Sequence, residues 1–172
     1  MCLGVMRGSV AVFGDFIAAD AILPARHAFL LPGDAALHLL EALGPEAGAR
    51  VRRHSILVVG EAFGYGTGRE SPARALRAAG VKALVGVSFA RMFYRNAINN
   101  GILPIVCGEL LRCGISDGDE VEIDAGAALL RWNGQVMRIP EVPALLQQIV
   151  LAGDLIAYGR NVLRAAQAAG RS

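Results

Sequence analysis

The chain has 172 residues, 54% of them hydrophobic and 19% charged, with a formal net charge of +2. That length suits one domain, residues 1–172, with a sizeable buried core. The weak charge argues against nucleic acid, and no apolar run approaches the roughly 18 residues of a membrane span.

The opening, MCLGVMRGSVAVFGD, has no charged leader and no sustained apolar stretch, so no signal peptide is read and a cytoplasmic protein is expected. Within it, GSVAVFGD reads as a first strand ending in a turn. PGDAALHLLEALG has apolar positions at helical spacing, Asp34 as candidate N-cap and Gly44 as a stop. Arg52 and Arg53 are the only adjacent basic pair and suit a solvated helix end or loop.

A clear alternation follows. SILVVG is a short continuous apolar run, which suits a strand buried on both faces. RESPARALRAAG predicts a helix with Pro72 in its first turn and Gly80 at its end. KALVGV is a second buried strand. SFARMFYRNAINNG predicts a second helix, capped by Ser88 and ended at Gly101. ILPIV is a third strand. Two strand–helix–strand units in succession imply a parallel core. DEVEID then alternates, and ALLRW and QVMRI flank Asn133-Gly134, a strong hairpin signal. EVPALLQQIVLAG and the tail from Asp154 read as helical. The expected class is α/β, with a parallel core and an added antiparallel hairpin.

Cys2, Cys107 and Cys113 make neither a disulfide framework nor a metal site: there is no C-x-x-C and no nearby histidine. Small buried hydrophobes are the better reading. An iron–sulfur cluster needs several converging thiolates, so none is expected on this chain. His27, His38 and His54 are scattered and read as surface or loop residues, and no metal ligand is assigned.

The stretch GEAFGYGTGRES, Gly60 to Ser71, carries the chemistry. It follows a strand and precedes a helix, at the sheet edge where open α/β folds bind ligands. A P-loop would need a lysine that is missing, and the dinucleotide fingerprint is broken because Arg69 stands three places after Gly66. Two readings stay open. In one, glycines and the helix start favour an anion, Thr67 presents a hydroxyl, and Arg69 offers a planar fork for a carboxylate. In the other, Thr67 merely caps the helix and Arg69 pairs with an acid such as Glu70 or Asp15.

Three blocks together resemble the small subunit of 3-isopropylmalate dehydratase, equivalent to the swivelling domain of aconitase. They are GDFIAADAILP, the glycine stretch from ILVVG to RALRAAG, and SFARMFYRNAINNGILPI, and the likeness spans residues 6 to 160. The resemblance implies a three-layer β/β/α swivelling domain. It implies a partner, a large subunit carrying a [4Fe-4S] cluster, in a heterodimer or heterotetramer. It also implies a hydro-lyase reaction on a short hydroxy-diacid, with 3-isopropylmalate and leucine biosynthesis as the leading reading. The family's catalytic serine position is Thr67 here, which makes Thr67 the candidate catalytic hydroxyl. The carboxylate-binding arginine is Arg69.

The departures from the pattern bear on substrate. Gly-x-Gly-Ser-Ser-Arg-Glu-His becomes Gly64-Tyr65-Gly66-Thr67-Gly68-Arg69-Glu70-Ser71. One serine hydroxyl is replaced by Gly68, and the histidine by Ser71. Gly66, Gly68 and Ser71 are nonetheless assigned with Arg69 to substrate binding. In the early loop, PARHAFLL puts Phe29 where related subunits have an arginine, with Arg26 close by; both are assigned to the substrate. An apolar loop suits an alkyl-bearing diacid, unless Phe29 and Leu30 are ordinary core residues. Maleate, citraconate and dimethylmaleate hydratases of the same family, or a non-catalytic regulatory paralogue, are the alternative readings.

Overall fold

A computed structural model describes residues 3–169 of the chain. Its seven strands are β1 (Met6–Val12), β2 (Ile56–Val59), β3 (Ala83–Gly86), β4 (Leu103–Val106), β5 (Glu120–Asp124), β6 (Leu129–Trp132) and β7 (Gln135–Arg138). They form one sheet in the order β4-β3-β2-β1-β5-β6-β7. The first strand belongs to two ladders. Its half Val10–Val12 runs parallel to β2, and its half Met6–Ser9 runs antiparallel to β5. The parallel part and the antiparallel part therefore meet within a single strand.

The two faces of the parallel strands follow from a side-chain period of two. In β2, Leu57 and Val59 pack with Leu76 and Phe93 of the helices, while Ile56 and Val58 pack with Val121, Ile123 and Leu130 of the antiparallel strands. Every residue of β2 and β3 is buried. The continuous apolar runs ILVV and ALVG are thus explained by cover on both sides. The result is the β/β/α layering expected of the resemblance. At the far hairpin, Asn133 and Gly134 both have positive φ, 46° and 76°, as a two-residue turn matched to strand twist requires.

The helices, numbered in chain order, are α1 (Ala19–Ile22), α2 (Pro32–Ala35), α3 (Pro45–Arg53), α4 (Ser71–Ala78), α5 (Arg91–Asn99), α6 (Glu109–Arg112), α7 (Ala144–Ala152) and α8 (Leu155–Ala169). Pro72 sits in the first turn of α4, and Gly80 and Gly101 take positive φ just beyond α4 and α5. Arg52 and Arg53 end α3, as a solvated helix end. Among the described residues no helix is long and apolar enough to cross a membrane.

Two local expectations are corrected. PGDAALHLLEALG is not one helix: α2 gives way to 3-10 turns at Ala36–His38 and Glu41–Leu43. The break falls at Leu39 and Leu40, which are both buried; Leu40 adopts φ 54° and gives its N–H to the Ile22 carbonyl. Burying two consecutive leucines against α1 outweighs continuing the helix. Asp34 is inside α2 and Leu31 is the N-cap. Nor does Ser88 cap α5, whose N-cap is Ala90. The Ser88 hydroxyl instead accepts the Ala62 N–H at 2.8 Å, tying the glycine loop to the next crossover.

Candidate active site

The glycine loop lies beyond the carboxyl end of β2 and is laced to both neighbouring connections by backbone hydrogen bonds. Phe16 and Gly60 bond Glu61 and Gly14, Gly64 bonds Ile17, and Ala19 bonds Tyr65 on one side. On the other, Phe63 bonds Ser88 and Ala90 bonds Phe63. Close packing explains two of its glycines. A β-carbon on Gly60 would stand 2.8 Å from the Asp15 Cα, and one on Gly64, at φ 79°, would collide with Phe93. Asp15 itself accepts the Glu61 N–H at 2.8 Å. It is a structural residue of the turn.

This lacing brings together residues far apart in sequence. Ala19 and Ile22 of α1 are buried, which leaves Asp20 facing outwards. The Arg69 guanidinium donates to Asp20 Oδ1, and its Nε donates to Thr67 Oγ1 at 3.2 Å. The Thr67 hydroxyl points back to Asp20 Oδ1 at a long 3.5 Å. A hydroxyl has one hydrogen and two lone pairs. Asp20 and Arg69 take one of each, and the second lone pair has no partner among the described residues.

The bland reading of the loop is thereby half right. Arg69 does pair with an acid, but the acid is Asp20, neither Glu70 nor Asp15. Thr67 does not cap α4, whose N-cap is Glu70 with no side-chain bond. Asp20 was hidden inside GDFIAADAILP, where its second acidic position was the available signal.

Two further residues escaped the sequence reading. Asn96, buried on α5, donates its amide to the Gly68 and Arg69 carbonyls at 3.2 and 3.1 Å. Asn100 donates to Glu70 Oε1 at 2.9 Å and to the Asn96 carbonyl at 2.8 Å. They fix the backbone on either side of the Arg69 Cα, so the guanidinium starts from a held position. Their spacing of four, in α5 and at its C-cap, was the only hint.

The other assigned residues are distributed unevenly. Tyr65, Gly66, Thr67 and Gly68 are exposed. Gly66 has φ 100°, whereas a β-carbon on Gly68 would meet only Met92, at an ordinary 3.6 Å. The space for a serine at 68 is therefore present. Ser71 is buried, and its hydroxyl has no hydrogen-bond partner among the described residues. Arg26 pairs with Glu41 and His27, and no bond links it to Thr67 or Arg69. Phe29 is 98% exposed, so it is no core residue, while Leu30 packs against the core. Exposed apolar side chains also stand on the loops and the start of α5: Phe16 at 62%, Tyr65 at 44% and Met92 at 47%.

His27 and His38, scattered in sequence, are stacked in space with ring centroids 3.7 Å apart. His54 stands apart, bonded to Ser9 Oγ at 2.9 Å. As for an iron–sulfur cluster, the thiols do not fit one. Cys107 is buried, and burial with the nearby Glu109 charge pushes its thiol up; Cys113 is exposed. Cys2 lies outside the described residues, and among the described ones neither Cys107 nor Cys113 joins a cluster of three metal-ligating side chains.

Comparison with known proteins agrees with this geometry. The Aconitase C-terminal domain family matches residues 44–110, which include the glycine loop, α4 and α5. The 3-isopropylmalate dehydratase small subunit of Moorella thermoacetica is 41% identical over 90% of this chain and 94% of its own. That of Metallosphaera sedula is 38% identical over 92% and 98%. A crystal structure of 3-isopropylmalate dehydratase from Methanocaldococcus jannaschii superposes with a TM-score of 0.82 at 32% identity, covering 95% of this chain and 99% of that one. With likeness of this depth along nearly the whole length, the chain belongs to the 3-isopropylmalate dehydratase small subunit family.

Proposed function

We propose that this chain is the small subunit of a hydro-lyase that interconverts 3-isopropylmalate and 2-isopropylmalate, in leucine biosynthesis. The observation that carries the reading is the Asp20–Thr67–Arg69 cluster on a glycine loop at the carboxyl edge of the parallel strands. Its relatives bear the same enzyme's name.

In this proposal Thr67 reacts as its alkoxide: the oxygen takes the proton from the carbon next to the hydroxyl-bearing carbon and becomes a hydroxyl, while the electron pair left on carbon expels the substrate hydroxyl. Arg69 Nε stabilises the negative charge on the alkoxide oxygen, because a charge-assisted bond strengthens with that charge. Asp20 orients the resting hydroxyl by accepting its hydrogen bond. The remaining N–H groups of Arg69 grip a substrate carboxylate as a planar fork. Gly66 and Gly68 admit the substrate close to the backbone.

The exposed position of Thr67 calls for a partner. A general base works best where water is excluded, and exposed Phe16, Tyr65 and Met92 form an apolar rim of the kind that marks an interface. The partner in this proposal is a large subunit bearing a [4Fe-4S] cluster. Its chemistry is Lewis-acid activation of the leaving hydroxyl. The test is reconstitution. The chain alone should have no isopropylmalate dehydratase activity, and addition of an anaerobically prepared large subunit should restore it. Turnover by this chain alone would overturn the assignment.

A further inference from the structure

We propose that His27, His38 and Glu41 form a binding site for a divalent transition-metal ion of the zinc type, which clamps the loop carrying Phe29. The idea is independent of the hydro-lyase reading. His27 Nε2 lies 3.2 Å from Glu41 Oε1, and His38 Nδ1 lies 3.2 Å from Glu41 Oε2. The two imidazoles are stacked, 3.7 Å apart and inclined by 9°, so one ring must turn out of the stack for both nitrogens to aim at one ion. One ligand atom from each residue falls within 4.8 Å of the others. Zinc bonds of about 2.0–2.1 Å in tetrahedral geometry place neighbouring ligand atoms about 3.3–3.4 Å apart. The two histidine–glutamate spacings already match that distance, and a turn of one ring would complete the set. Two histidines and a glutamate are also a ligand set that zinc accepts.

Arg26 competes with a metal for the same atoms. Its Nε donates to His27 Nε2 at 3.1 Å, and its guanidinium also bonds Glu41. The Arg26 side chain is 69% exposed.

The position gives the site a consequence. His27 ends the turn Ala25–His27, His38 ends the turn Ala36–His38, and Glu41 begins the turn Glu41–Leu43. Phe29 and Leu31, both exposed, lie on the segment between the first two. A metal joining these turns would fix the base of the loop that presents Phe29.

The experiment is titration of the full chain with Zn²⁺ by calorimetry, and with Co²⁺ by its visible absorption, after alkylation of the thiols. Hydrogen exchange over residues 25–43 is followed in parallel. Saturable binding of one ion, tetrahedral Co²⁺ bands and slowed exchange in that segment are expected. His38→Gln and Glu41→Gln should each weaken binding at least about 100-fold, with the far-ultraviolet spectrum unchanged. Arg26→Ala should tighten it, because the competing cation is gone. Absence of saturable binding, binding that survives His38→Gln, binding lost on thiol alkylation, or equal or weaker binding in Arg26→Ala would each overturn the proposal.

Discussion

The Arg69 guanidinium reaches across 49 positions of sequence to the Asp20 carboxylate, and the same arginine holds the Thr67 hydroxyl through Nε. Asp20 thus occupies the charge complement that a substrate carboxylate would seek while it keeps the fork in place. Its side chain is 54% exposed, so the pair is a partly solvated one, worth about 0.2–1 kcal/mol. Asp20→Ala should lower kcat/KM of the reconstituted complex by no more than about fivefold through lost orientation alone. A loss of 100-fold or more would give Asp20 a part in proton transfer.

Thr67→Ala should reduce kcat by about 10²–10⁴-fold, the usual worth of a general base. Thr67→Ser should retain or raise it, since the β-methyl that stiffens the threonine rotamer is removed. Gly68→Ser should fold normally, because a β-carbon there meets only Met92 at ordinary contact distance. Near-normal kcat in Thr67→Ala would place the base elsewhere. Ser71 would be a weak successor, given its buried hydroxyl.

Much of this was legible in the sequence, for reasons tied to particular residues. ILVV and ALVG announced doubly covered strands, because no solvent-facing position interrupts them. Asn133-Gly134 announced a hairpin because few other residues tolerate two consecutive positive φ values. Leu39 and Leu40 misled: their spacing fits a helix, and only the tertiary contact with α1 shows that both are buried and the chain must turn. Arg69 was legible as a group that would pair with an acid, but Asp20 as that acid was not, since nothing local to Asp20 says that Ala19 will bond Tyr65. The stacking of His27 on His38 was hidden for the same reason, as it follows from the broken helix.

Asp117 links the first strand to α3. It accepts the Val12 N–H at 2.6 Å and two N–H groups of Arg50, at 2.5 and 2.8 Å. The Arg50 bonds lower its carboxyl below the usual range against an opposing effect of burial, helped by the Val12 N–H. A depressed folded-state pKa gives stability that is present above the ordinary carboxylate pKa and lost as pH falls through the folded value. Asp117→Asn should cost about 1 kcal/mol at neutral pH, a charged hydrogen bond discounted for partial exposure. The difference in urea midpoint from the unsubstituted chain should shrink as pH drops below the ordinary carboxylate range. A gap that stayed constant down to strong acid would mean the cost is steric.

Arg69 and Phe29 should divide substrate recognition between what all the diacids share and what differs. Arg69→Lys keeps the charge but loses the fork, so every diacid should suffer and to a similar degree. Phe29 stands 98% exposed on a loop whose neighbour Leu30 is anchored in the core, so its ring is presented outwards on a held base. Exposure of that kind costs the chain solubility with no packing in return, which suits a side chain waiting for an apolar group. One methylene in such a pocket is worth about 1–3 kcal/mol. Phe29→Arg should therefore weaken alkyl-bearing diacids by about 10-fold or more and favour those with an extra carboxylate. The folding stability of the chain should not change, because the side chain buries nothing in the isolated subunit. The measurement is kcat/KM for both variants, in the reconstituted complex, across diacids of increasing alkyl size. If Phe29→Arg lowers all substrates equally, the ring contacts the partner subunit, and choice among diacids must be made by other residues.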